Sequence, residues 1–272
     1  MEIITSKDNS KIKYIRSLQQ KKYREREKKY LVEGLRFAEE ALGYPADIDT
    51  VVYTPALMEG RRGRDLVAKA AALGLTLVAV SDTVFKELSG TETPQGIMAV
   101  MKMDEKPFAP DAIADEGGLL LVVDGVQDPG NLGTIVRTAD AAGVKNIILL
   151  KGTVDIYNPK TLRSTMGSVF RVNCHIWNDS LELAALFRDK GIRLYVASAG
   201  GGKTIYEADY NGPVALVLGS EAAGPGAVLT EQADSVITIP MLGNAESLNV
   251  AVAAGIIIFE AVRQRIHPKM PL

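Results

Sequence analysis

From residue 118 onward, short apolar runs alternate with stretches of helical spacing. The runs Leu119–Val123, Asn146–Leu150, Val172–Ile176, Arg193–Ala197, Val214–Leu218 and Ser235–Ile239 read as strands. Between them, Leu132–Ala142 repeats apolar positions at Leu132, Ile135, Val136 and Ala139, the periodicity of a helix face. Lys160–Val169 and Leu181–Lys190 read as further helices, and a long apolar helix opens at Ser247 and runs to about Gln264. Apolar strands separated by helices predict a parallel sheet covered on both faces.

The first hundred residues alternate differently. Tyr30–Ala41 reads as a strand passing into an amphipathic helix, and Ile48–Tyr53 as a strand. Arg61–Leu73 is a helix stopped by Gly74, Leu75–Val80 a strand, Thr83–Leu88 a short helix and Gly96–Met101 a final strand. This is a small α/β sandwich with no nucleophile–base pair and no phosphate loop, so it reads as a binding module. Lys102–Gly117 carries two prolines and several acids with little periodicity. The expected boundaries are a first domain at 1–103, a linker at 104–117 and a second domain at 118–272.

Three loops of the second half share one form: an apolar strand, a Gly- or Pro-bearing turn with a few polar residues, then a helix or turn. They follow Leu119–Val123, Val214–Leu218 and Ser235–Ile239. In parallel sheets such loops collect at the carboxyl ends of the strands, where ligands bind. In the first loop Asn131 stands where a helix N-cap is expected, and Arg137 lies in the second turn beside small Thr134, Thr138 and Ala141. A helix start with an arginine suits a phosphate. The second loop offers Glu221 between Gly219 and Gly224; the third offers Ser247, itself a possible N-cap, and Asn249 around Leu248.

Composition narrows the class. The chain has 272 residues, 47% of them hydrophobic and 24% charged, with net charge −2, as in an ordinary globular protein. The one cysteine, Cys174, precludes an internal disulfide framework and fits a reducing cytoplasm. With His175 and His267 as the other soft ligands, no metal-binding spacing exists, so no metal is expected. The start MEIITSKDNSK has no apolar signal region, and Val250–Phe259, the longest apolar run, is too short to span a bilayer. Cys174, His175 and Trp177 read as packing residues. Charge is unevenly spread: Lys7 to Arg36 holds eleven basic residues against Asp8, Glu25, Glu27 and Glu33, with Tyr14, Tyr23 and Tyr30 interleaved. That pattern fits either a solvated helical surface or an RNA-binding arm in which aromatic rings stack on bases.

Ala197–Thr204 (ASAGGGKT) loosely matches a phosphate-binding P-loop. A true P-loop must open a helix, whereas Asn211–Gly212–Pro213 soon breaks the chain, and no Asp ends the next strand to hold magnesium. No G-x-G-x-x-G follows a strand either.

Asn131–Thr138 (N-x-G-x-x-x-R-T), Leu216–Gly224 (L-x-L-G-x-E-x-x-G) and Pro240–Ala253 (P-M followed by S-L-N-V-A-x-A) resemble, in order, the three motifs of the SpoU (TrmH-type) RNA ribose 2′-O-methyltransferases of the SPOUT class. The first half is similar to the ribosomal-protein-L30e-like substrate-binding domain of that family, including PQGI at Pro94–Ile97, and the opening segment resembles the ribosomal-RNA branch related to thiostrepton-resistance methyltransferases. The resemblance implies an α/β fold with a deep C-terminal trefoil knot, a homodimer, a cytoplasmic enzyme and S-adenosylmethionine (SAM) as cofactor. It places SAM against Ala197, Ser198, Leu218, Gly219, Ile239, Met241 and Leu248, and chemistry at Asn131, Arg137, Glu221, Ser247 and Asn249, with Arg137 activating the ribose hydroxyl and Glu221 fixing Arg137 or the dimer contact. The implied substrate is RNA, 23S-type ribosomal RNA before transfer RNA. A non-catalytic RNA-binding or ribosome-assembly protein stays open as the reading from another class, since it would need the basic segment but none of the three loops.

Overall fold

A computed structural model describes residues 2–43, 48–103, 107–115 and 118–267. The chain divides into two compact units, Met1–Glu105 with Tyr157–Phe170, and Lys106–Ile156 with Arg171–Leu272.

In chain order the first unit holds β1 (Ile3–Ile4), α1 (Ser10–Ser17), α2 (Lys21–Glu27), β2 (Lys29–Glu33), α3 (Leu35–Gly43), β3 (Ile48–Tyr53), α4 (Arg61–Ala72), β4 (Thr76–Val80), α5 (Asp82–Leu88) and β5 (Ile97–Lys102). Its five-stranded mixed sheet runs β1-β4-β3-β5-β2. The basic N-terminus is not a free arm. Its first helix buries Ile12 and Ile15, and the following Leu18 joins them against Phe85 and Leu88. In α2, Arg24 is buried and donates to the carbonyls of Leu18 and Gln19. Lys11, Lys13, Lys21, Lys22 and Arg26 are exposed charges on this docked helical pair, with Arg26 stacked 4.8 Å over the Tyr23 ring, while Lys29 lies in β2 and pairs with Asp49 at 2.7 Å.

The second part of the chain forms α6 (Pro110–Asp115), β6 (Leu119–Asp124), α7 (Pro129–Ala141), β7 (Asn146–Leu150), α8 (Pro159–Thr165), β8 (Asn173–Trp177), α9 (Ser180–Asp189), β9 (Arg193–Ala197), β10 (Lys203–Thr204), β11 (Val214–Gly219), α10 (Ala227–Glu231), β12 (Ser235–Thr238) and α11 (Val250–Ile266). Its sheet is seven-stranded and all parallel, in the order β10-β12-β9-β11-β6-β7-β8. Leu120 to Val123 and Val214 to Leu218 are almost fully buried, the continuous apolar reading of a strand covered on both faces.

Several boundaries differ from the sequence reading for identifiable reasons. Helix α7 starts at Pro129 because Asp128, not Asn131, is its N-cap, accepting from the Asn131 N–H with proline in the first turn. Helix α11 starts at Val250 because Asn249, not Ser247, caps it, accepting from Ala251 and Val252. The segment read as linker contains α6, whose Ile113 packs into the second unit's core. Met166, in the left-handed region at φ 50°, ends α8 early, and a short 3-10 turn, Ser168–Phe170, follows. The segment 157–170, expected in the second domain, belongs to the first unit: Tyr157 meets Tyr30 at 4.5 Å, Phe170 meets Phe37 at 5.2 Å, and Leu162 is buried there.

Candidate cofactor and RNA site

At the carboxyl ends of β9, β11 and β12, three loops enclose a cavity of about 730 Å³. Ala197, Ser198, Leu218, Gly219, Ile239, Met241 and Leu248 all line it, as do Glu221, Ser247 and Asn249. Asn131 and Arg137 do not. The lining includes the apolar side chains of Leu218, Ile239, Leu248 and Ile257, with Gly200, Gly219 and Gly224 among its small residues. An apolar slot with a few polar groups fits a nucleoside-sized molecule carrying a polar tail, and its volume is in the ordinary range for such ligands. SAM meets that description.

Gly219 is required by space. A Cβ there would lie 2.0 Å from the Pro225 nitrogen and 2.1 Å from the Gly224 carbonyl carbon, where the loop folds back on its own strand. Ser220 and Gly224 close that turn with reciprocal backbone bonds of 3.0 Å, and the Asp124 carboxylate accepts the Gly226 N–H at 2.7 Å. Asp124 escaped the sequence reading; its signal was a lone acid at the end of the apolar run LLLVV.

A relay of side chains ties the loops together. Glu221 accepts from Asn131 Nδ2 at 2.8 Å and from the Gln127 and Asp128 N–H groups at 3.3 and 3.4 Å. Asn249 Nδ2 donates to Asn131 Oδ1 at 2.9 Å, and Asn249 Oδ1 caps α11. Burial pushes the Glu221 carboxyl up, but the bonds from Asn131 and the backbone N–H groups together outweigh it and hold it below the ordinary glutamate range. Three segments far apart in sequence are thereby held as one frame. Glu221 does not fix Arg137; its acceptors are engaged by the Asn131 loop.

Arg137 projects from the exposed side of α7, and no hydrogen bond or ion pair engages it among the described residues. Its neighbours Thr134 and Thr138 turn their hydroxyls back to the Gly130 and Thr134 carbonyls, each at 2.8 Å, so they do not compete for a ligand. Ser247 is exposed on the third loop. The P-loop-like segment leads into β10, paired to β12, rather than into a helix. Burial pushes the Cys174 thiol up to about 12, as fits a packing residue. Phe108 packs beside His175 and Trp177 at 5.2 and 6.1 Å. Among the described residues there is no group of three His, Cys, Asp or Glu that could hold a metal, and no helix long and apolar enough to cross a membrane.

Comparison with known proteins places these loops in context. Residues 118–259 match the SpoU rRNA methylase family, and residues 9–99 match the MRM3-like substrate-binding domain. The chain is 37% identical over 264 residues to the 23S rRNA (guanosine(2553)-2′-O)-methyltransferase RlmP of Bacillus subtilis, covering 95% of this chain and 98% of that one. The AdoMet-bound rRNA methyltransferase from Sinorhizobium meliloti superposes with a TM-score of 0.85 at 34% identity, over 97% of this chain and 98% of that one. The SpoU methyltransferase AviRb from Streptomyces viridochromogenes, in complex with AdoMet, does so at 0.84 and 28% identity, over 95% and 98%. A seven-stranded parallel sheet, a substrate-binding unit ahead of it and all three motif loops gathered at one sheet end make this chain a member of the SpoU rRNA methylase family.

Proposed function

We propose that the protein is a SAM-dependent methyltransferase acting on a ribose 2′-hydroxyl of 23S-type ribosomal RNA. The observation that carries this reading is the single cavity lined by every residue assigned to SAM from the sequence motifs, joined by one hydrogen-bond relay to the helix that bears Arg137. The relatives support the substrate class: the Bacillus subtilis relative is a 23S rRNA guanosine 2′-O-methyltransferase.

When bound, SAM supplies an electrophilic methyl group whose sulfonium already carries the positive charge the transfer needs. Leu218, Ile239 and Leu248 would give its adenosine an apolar slot, and Gly219 lets the second loop fold back on its strand to form that wall. To Arg137, exposed on α7 and engaged by no hydrogen bond or ion pair among the described residues, we assign the RNA phosphate beside the target nucleotide and the stabilisation of the 2′-oxygen as it loses its proton. Asn131 and Asn249 are positioning residues, and Glu221 fixes Asn131. Most of the acceleration assigned to the protein is orientation of two bound reactants.

Two finer features belong to the same reading. The working form is a homodimer, supported by an exposed apolar stripe on α11 at Val252, Ile256 and Phe259, spaced at one helix face. The cavity-forming loops belong to a trefoil knot, supported by family membership and by the return of the third loop beside the first two. The cytoplasm, where ribosomal RNA resides, is the corresponding compartment.

The experiment is methyl transfer from labelled SAM to purified ribosomal and transfer RNA, read as modified nucleosides after digestion. Label in 2′-O-methyl nucleosides of 23S RNA is expected. Label confined to transfer RNA would overturn the substrate, and absence of both transfer and SAM binding would overturn the enzyme.

A further inference from the structure

The first unit contains a second cavity, of about 270 Å³, well away in sequence from the three motif loops. Its floor is apolar, formed by Val32, Phe37, Met98 and Leu162 among others, while Lys160 and Arg163 of α8 stand on its lining with Glu33 and Gln19. That is slightly below the common size of small-molecule sites, about 300–1,000 Å³, and suits one flat group rather than a large ligand.

Its polar groups are arranged unequally. Glu33 is saturated: its carboxylate accepts from the Ser89 hydroxyl at 2.5 Å, the Thr91 hydroxyl at 2.8 Å and the Gly90 N–H at 3.0 Å. These bonds fix the loop that forms one wall. Gln95 secures the same region, accepting the Leu35 N–H at 2.8 Å where Gly34 takes the left-handed φ of 106°. Arg163 extends over that loop, its Nη1 3.6 Å from where a Gly90 Cβ would be, yet it makes no hydrogen bond or ion pair among the described residues. Although Glu33 lines the same cavity, its acceptors are spent on the loop. An exposed guanidinium over a preformed apolar slot with no protein acceptor is set for an anion attached to a flat apolar group. A nucleotide of single-stranded RNA combines these parts, since sequence-specific RNA readers take unstacked bases into pockets while cations hold the phosphates.

We infer that this cavity is an RNA subsite that takes one unstacked base, with Arg163 holding that nucleotide's phosphate. The inference rests on the ribosomal-RNA methyltransferase reading and adds to it a recognition point separate from the SAM site. The cavity owes its cations to α8, which explains why a stretch far along the chain packs into the unit matching a substrate-binding domain.

The test compares wild type, Arg163→Ala and, as a charge control, Arg61→Ala, whose side chain is 91% exposed and pairs with Asp65 across 3.7 Å. Filter binding to 23S RNA over a salt series and steady-state methyl transfer are measured together. Arg163→Ala is expected to raise Kd and KM for RNA about tenfold and to reduce the salt slope by about one phosphate contact, with kcat and SAM affinity unchanged. Ultraviolet cross-linking of 4-thiouridine-substituted 23S RNA is expected to label the peptides bearing Met98 or Asn158–Arg163. RNA affinity and salt slope equal to those of Arg61→Ala, or cross-links absent from both peptides, would overturn the subsite. A loss of affinity without any bound base, seen as an abasic oligonucleotide binding as tightly as its parent, would reduce it to a phosphate contact and overturn the base pocket. Should the wild type transfer no methyl group, the binding and cross-linking results still decide the subsite, so the two failures are told apart.

Discussion

Glu221→Ala removes the acceptor for three donors at once and leaves Asn131 without a partner on one side. We expect SAM affinity to fall about tenfold by calorimetry, because the second loop loses its tie to the first. The pH dependence has a definite sign. A carboxyl held below its ordinary value stabilises the frame fully above the unfolded value, near 4.5, and that contribution disappears as pH falls through the lower folded value. For this group, stability should be flat from pH 6 to 8 and fall only below about pH 4.5 in thermal melts; loss between pH 6 and 8 that vanishes in Glu221→Ala would contradict it. At this scale the sequence named candidate residues but not their wiring. Glu221 was expected to fix Arg137 or the dimer contact; the structure gives its carboxylate to the Asn131 amide and two backbone N–H groups. Three-dimensional partners ninety residues apart leave no local signature; Asp124 showed only as a lone acid ending an apolar run, with nothing to name the Gly226 N–H as its donor.

Elements were easier to read than their ends. Burial on both faces made the strands legible as apolar runs, and 3.6-residue spacing exposed α7 and α9. Caps decided the errors: Asp128 precedes a proline, which fits the first helical turn, and Asn249 outcompetes Ser247 because its amide reaches two N–H groups while bonding Asn131. The loop after β11 carries its own prediction. Gly219→Ala places a methyl group against backbone atoms 2.0 Å away, so it should cost about 3 kcal/mol or more of stability or abolish SAM binding with the fold retained. A variant that melts and binds SAM like wild type would refute the close packing described for that turn. On α11, Phe259 is 48% exposed within the stripe assigned to the dimer. Phe259→Glu should convert the protein to a monomer in sedimentation experiments, with circular dichroism unchanged. A monomeric wild type would remove the dimer from the account.

At the scale of the molecule, alternation of strands and helices was enough for the α/β class, and three motif loops were enough for the family. The proposed knot and dimer entered through resemblance, because neither chain threading nor self-association leaves a periodic trace. The assignment of 157–170 to the first unit was illegible too: Tyr157, Leu162 and Phe170 look like any apolar face until their partners Tyr30 and Phe37 are placed. The central claim is a division of labour, with SAM held in the cavity and the ribose hydroxyl activated by an arginine outside its lining. It is tested most directly by measuring kcat for 23S RNA and the SAM dissociation constant in Arg137→Ala beside wild type. The account predicts kcat lower by about a hundredfold or more, as for loss of one group that stabilises developing charge, with SAM affinity within twofold. Retained kcat, or SAM affinity that falls in step with activity, would contradict it.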